Sequence, residues 1–110
     1  MKGEIMLKIN LEFRKGILFI RLKGNLNQLT YQSMKDYLIP IIKDNGIKYI
    51  VFNLAYLKSI DGYGKESIKE VIFYAKQNQG TGLICNSKVS FDKPYKMIEN
   101  ELKALKYITI

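Results

Sequence analysis

Gly46-Ile47-Lys48-Tyr49-Ile50-Val51-Phe52-Asn53-Leu54-Ala55-Tyr56-Leu57-Lys58-Ser59-Ile60-Asp61-Gly62-Tyr63-Gly64 is the stretch on which the fold turns. Ile47 to Leu54 is an almost continuous apolar run rich in β-branched and aromatic residues, which predicts a buried strand. A loop follows through Ser59. An acid and two glycines then lead directly into a helix predicted over Gly64 to Gln77, with Ile68, Val71, Ile72 and Ala75 on one stripe. A buried strand that feeds a helix through a short loop is the repeating unit of an α/β sheet.

Reading towards the N-terminus, Ile5, Leu7, Ile9, Leu11 and Phe13 alternate with polar Lys8, Asn10 and Glu12, a strand with one wet face. Arg14-Lys15-Gly16 turns the chain into a second, central strand from Ile17 to Leu22, which Gly24 ends. Asn25 to Leu29 reads as a loop. Thr30 is a fitting N-cap for a helix whose inner face carries Met34, Leu38, Ile41 and Ile42, with Pro40 in its last turns and Asn45-Gly46 as its stop. Towards the C-terminus, Gln79-Gly80 breaks the second helix and Thr81 to Asn86 makes a short strand. Asp92 and Pro94 then read as the start of a third helix with Ile98, Leu102 and Leu105 facing inward, and Tyr107 to Ile110 as a terminal strand. The expected fold is one α/β domain over residues 1–110, in the order β-β-α-β-α-β-α-β. It has a mixed sheet of four to five strands, with helices mainly on one face because parallel crossovers are right-handed.

Composition narrows the chemistry. The chain has 110 residues and no His, which removes Ser-His-Asp triads, Cys-His pairs and imidazole acid/base work. A lone cysteine without histidine also excludes the common zinc sites. No metal or other cofactor is expected, and an enzyme is the minority reading with no catalytic residue to name. The formal charge of +8 comes from 18 Lys+Arg against 10 Asp+Glu, but the basic residues are scattered and 16 of them are Lys. Lys, Ile, Asn and Tyr, all abundant here, share A/T-rich codons, so base bias explains the charge as well as a phosphate-binding surface does. Glu66 and Glu70 interrupt the one lysine face, on Lys65, Lys69 and Lys76. Without a basic run, a helix-turn-helix or a stacking motif, the charge argues against a nucleic-acid partner. Cys85 in an apolar run reads as core. The absence of a leader or of about 18 consecutive apolar residues points to a cytoplasmic chain that does not insert into membranes.

The loop before the second helix carries the functional signal. Asp61 there has two readings, a helix cap or part of a binding surface, and the glycines allow tight turning or close approach of another backbone. Ile17-Leu18-Phe19-Ile20-Arg21-Leu22-Lys23-Gly24-Asn25-Leu26, Thr30, Gly46 to Leu54, and Ile60-Asp61 followed by Gly64 resemble the STAS domain, and within it the bacterial anti-sigma factor antagonists (anti-anti-sigma factors). Gly24-Asn25-Leu26-Asn27 stands for the family's Gly-Glu-Leu-Asp, and Ile60 to Lys65 for its Ile-Asp-Ser-Ser-Gly-Leu. The resemblance implies a transcription regulator that binds an anti-sigma factor with serine-kinase activity and is released when the first loop serine is phosphorylated. Here that acceptor position is Gly62, which has no hydroxyl. Tyr63 replaces the second serine, Lys65 the leucine and Asn27 the first-loop aspartate, so the departures fall on the partner surface.

The resulting expectation is a non-catalytic interaction module. It docks through Asn27, Thr30, Asp61, Gly62, Tyr63, Gly64 and Lys65, and it is not switchable by serine phosphorylation at the usual place. Ser59 and Ser67 are the nearest hydroxyls. Two alternatives stand beside it: an accessory subunit of a transporter or other regulatory ATPase, and a small-ligand or nucleotide-binding STAS domain. Phe19, Tyr49 and Tyr107 are a second expectation; if they share the sheet face left open by the helices they favour self-association, and otherwise loops or the last helix cover them.

Overall fold

Lys15 and Gly16 have φ of 54° and 81°, and Arg14 pairs directly with Ile17. Two consecutive residues in the left-handed region make the tight turn whose twist suits an antiparallel hairpin. That turn joins β1 (Leu7–Arg14) to β2 (Ile17–Leu26). The computed structural model describes residues 6–91 and 95–109. After the hairpin come α1 (Tyr31–Asp44), β3 (Tyr49–Ile60), α2 (Gly62–Gln77), β4 (Thr81–Cys85), β5 (Lys96–Ile98) and α3 (Glu101–Ile108). The five strands lie in the order β1-β2-β3-β4-β5, antiparallel at the first pair and parallel thereafter.

The apolar stripes do what their spacing predicts. Met34, Leu38 and Ile42 of α1 and Ile68, Val71, Ile72 and Ala75 of α2 are fully buried, packed with Ile20, Leu22, Ile50, Phe52 and Ile84 of the sheet. Ile41 is half-buried at the margin of the stripe. Both helices cross between parallel neighbours and so fall on the same side. α3 follows β5 and, among the described residues, does not connect two parallel strands, so the crossover rule does not hold it to the side of α1 and α2 and it covers the opposite face. There Ala104, Leu105 and Ile108 close over Ile17, Phe19, Val51, Leu83 and Cys85. Phe19 is thereby buried and Tyr49 partly so, and of the two alternatives for this face the second holds: the last helix covers it.

Two further expectations change. The strands run past their predicted ends, because β2 and β3 continue pairing from Lys23↔Tyr56 through Leu26↔Ile60, with register shifts on either side of Lys23-Gly24 that leave the extra residues on β3. Gly24, with φ of 107°, is an irregularity inside the strand and not its end. The C-terminal order is also reversed: a short strand comes first and a helix follows, so Ile98 lies in β5 and Tyr107 in α3, while Leu102 is exposed. Asn100 caps α3, accepting from Lys103 N at 2.9 Å. The expected cap Asp92 and Pro94 lie outside the described residues, as do Ile5 and Ile110.

A polar clamp fixes α3 to the sheet. Arg21 on β2 donates from Nε and Nη2 to the two oxygens of Glu101 at 2.8 and 2.7 Å, and Asn53 on β3 donates to the same carboxylate at 2.7 Å. Glu12 accepts a further 2.7 Å bond from Arg21. Bidentate charge-assisted pairing of this kind is directional as well as strong.

Candidate functional site

The carboxyl ends of parallel strands β2 and β3 open into the two loops that start α1 and α2. Asp61 ties them together. Its Oδ1 accepts from Gly64 N at 2.9 Å, capping α2, and its Oδ2 accepts from Gln28 N at 3.0 Å in the loop before α1. Its own N–H donates to Leu26 O at 3.2 Å. The capping reading therefore holds, and the carboxylate is a brace between the loops as well.

Thr30 also works on the first loop. Its side chain makes no cap bond; Oγ1 accepts from Asn27 N at 3.0 Å and donates to Asn25 O at 2.8 Å. The Asn27 carboxamide accepts from Leu29 N at 2.9 Å, so it tightens the same turn. Thr30 is buried and Asn27 half-buried.

The two glycines differ sharply. A Cβ at Gly64 would strike the Leu26 carbonyl and come within 2.8 Å of Ile60 Cγ1, whereas one at Gly62 would meet nothing within 4 Å. Gly64 is required by packing; Gly62 lies exposed in the first helical turn, with room for a side chain.

Tyr63 projects beside it, half exposed, with its ring centroid 5.4 Å from that of Tyr31 at the start of α1. The pair borders an open groove of about 540 Å³ whose other walls include Asp61, Gly62, Glu66 and Glu70. Lys35 crosses from α1, meeting Glu70 at 3.0 Å with its Nζ 5.5 Å from the Tyr31 ring. Asp61, Gly62 and Tyr63 thus share one surface. Lys65 is not among the groove's walls; its Nζ lies 6.0 Å from the Phe91 ring. Of the two neighbouring hydroxyls, Ser67 is buried and donates to Gly64 O at 2.7 Å, while Ser59 is exposed and donates to Asn25 Oδ1 at 2.8 Å. The sequence alone does not place Tyr31 at the site and presents Glu66 and Glu70 only as interruptions of a lysine face, although the two are four apart on one helix and share a face.

Among the described residues, no three Cys, Asp or Glu side chains gather as metal ligands, and no helix is long and apolar enough to cross a membrane. The fold is shared with solved structures of low identity. An anti-sigma factor antagonist from Mycobacterium paratuberculosis superposes with a TM-score of 0.80 at 12% identity, covering 94% of each chain. The anti-sigma factor antagonist SpoIIAA in its unphosphorylated form gives 0.75 at 16% identity, covering 91% of this chain and 96% of the other. The phosphorylated form of SpoIIAA, a Bacillus cell fate determinant, gives 0.74 at 18%, covering 92% and 99%. The sequence model of the STAS domain matches residues 8–99, and the chain belongs to the STAS domain family.

Proposed function

We propose that this chain is a non-catalytic regulator of the anti-sigma factor antagonist type, which docks a partner protein over Tyr63, Tyr31 and the first turn of α2. The observation that carries the reading is the half-exposed Tyr63 ring, backed by the partly buried Tyr31 beside an open Gly62, where the family resemblance implies the partner surface. A rigid aromatic pair at the rim of a groove supplies contact area at little entropic cost, the property of interface anchors. The partner is an anti-sigma factor with kinase activity or a related regulatory ATPase. With glycine at the acceptor position, a kinase partner has no hydroxyl there to modify, so ATP leaves the complex intact.

The test titrates this protein against the purified anti-sigma kinases and STAS-associated regulatory ATPases of its own genome. One of them binds, Tyr63→Ala weakens that complex by about thirtyfold, as expected of a hot-spot aromatic, and the wild type takes up no phosphate from ATP. Gly62→Ser, for which there is space, becomes phosphorylated and dissociates. Equal binding by Tyr63→Ala and the wild type, or phosphate uptake by the wild type, overturns the proposal.

A further inference from the structure

The outer edge of β1 carries information that the docking surface does not use. β1 ends the sheet order, and it runs eight residues in uninterrupted register with β2, without proline or bulge. The opposite edge, β5, is three residues long, the usual way to blunt an edge. Asn25 N donates to Met6 O at 3.2 Å, so Met6 turns its backbone inward to β2. Backbone groups alternate sides along an antiparallel strand. Lys8, Asn10 and Glu12 therefore point theirs inward too, and Leu7, Ile9, Leu11 and Phe13 present theirs outward. The side chains divide in the same way: Leu7, Ile9 and Leu11 rest half-buried against the main core, Phe13 is 61% exposed, and Lys8 and Asn10 lie on the other, wet face.

We propose that β1 pairs antiparallel with β1 of a second copy, with Asn10 on the two-fold axis. Outward-facing residues must oppose each other, which restricts a symmetric pairing to axes through a residue. An axis at Leu11 puts Lys8 against Arg14, like charges that repel across strands. An axis at Ile9 puts Lys8 against Asn10 and leaves Glu12 opposite Met6. Only the Asn10 axis sets Lys8 against Glu12, twice by symmetry, while Ile9 meets Leu11 and Leu7 meets Phe13 on the apolar face. Arg21 already holds the Glu12 side chain through Oε1, so the carboxylate is fixed before the second copy arrives. The partner strand supplies acceptors and donors for the outward backbone groups from Leu7 to Phe13, and it covers the exposed Phe13 ring. The occupant is a second copy of this chain because the edge is complementary to itself in charge and in its apolar pattern.

Sedimentation of the full chain over a concentration series tests the pairing, together with mild oxidation of single-cysteine variants. Residues on the axis form a non-hydrogen-bonded pair with Cα atoms about 4.5 Å apart, within the span of a disulfide. Cys85 is buried and does not compete. The expected result is a concentration-dependent dimer that Asn10→Cys crosslinks, whereas Lys8→Cys and Glu12→Cys crosslink only when combined in one chain. Lys8→Glu weakens association by roughly tenfold, since it turns two attractive pairs into repulsive ones. A monomer at every concentration overturns the proposal. So does equal crosslinking at all three positions, or a dimer indifferent to Lys8→Glu.

Discussion

Two glycines two residues apart show how differently one residue type is used. Gly64 lies where the start of α2 presses on the end of β2, and a methyl group there would displace the Leu26 carbonyl or the Ile60 side chain. Gly62 faces open space at a backbone conformation that any L-residue can adopt. Gly64→Ala is expected to destabilise by about 2–3 kcal/mol, the scale of overpacking a tight contact. Gly62→Ala is expected to be neutral or to stabilise by up to about 1 kcal/mol, since alanine is the better helix former and restricts the unfolded chain. Urea midpoints of the two variants at constant slope measure this difference directly. A loss of more than about 1 kcal/mol for Gly62→Ala would give Gly62 a structural duty and remove the reason to read it as a changed surface position.

At the scale of elements, α3 owes its place to a carboxylate. The hydrogen bonds from Arg21, helped by that from Asn53 and by the nearby positive charge, hold the Glu101 carboxyl below the usual carboxylate range against the opposing effect of its partial burial. A depressed folded-state pKa means that the clamp contributes fully above the unfolded value of about 4.3 and is lost as pH falls through the folded one. Glu101→Gln should therefore lower stability at pH 7 by about 1–2 kcal/mol, for a pair that is partly exposed. It should also flatten the acid limb of the stability–pH curve below about pH 4.3; parallel limbs for the two proteins would refute the clamp. The clamp also explains what the sequence left unread. α1 and α2 are legible from Met34-Leu38-Ile42 and Ile68-Val71-Ile72-Ala75, because an amphipathic stripe is local. Arg21 and Glu101 meet across 80 positions, so the anchor is invisible near residue 101, and the local start signal of Asn100 competes with the equally good one of Asp92 and Pro94. The site divides in the same manner. Asp61 and the glycines speak through local turn and cap chemistry, whereas Tyr31 reaches Tyr63 only once α1 packs on α2.

Across the whole molecule, one sheet separates two apolar layers of unequal depth. The layer under α1 and α2 contains most of the fully buried side chains, and the layer under α3 rests on an eight-residue helix with one buried residue, Ala104. A helix this short has little stability of its own and depends on packing and on the Glu101 clamp. Cys85 reports on that weaker layer: it is wholly buried against α3's side of the sheet, and desolvation, with the Glu101 charge adding to it, pushes its thiol up to about 12. A thiol that is both covered and protonated is inert to disulfide exchange, since the thiolate is the reactive form. Native protein at pH 8 should therefore leave a disulfide reagent unreacted, and the thiol should become reactive when α3 lifts. Because no α3 residue packs into the main core, labelling is expected to begin at lower urea than the loss of far-UV ellipticity, as sub-global opening precedes global unfolding. Glu101→Gln should widen the interval by loosening the cover without touching α1 or α2. Coincident transitions in both proteins would show instead that the two layers unfold as one cooperative unit.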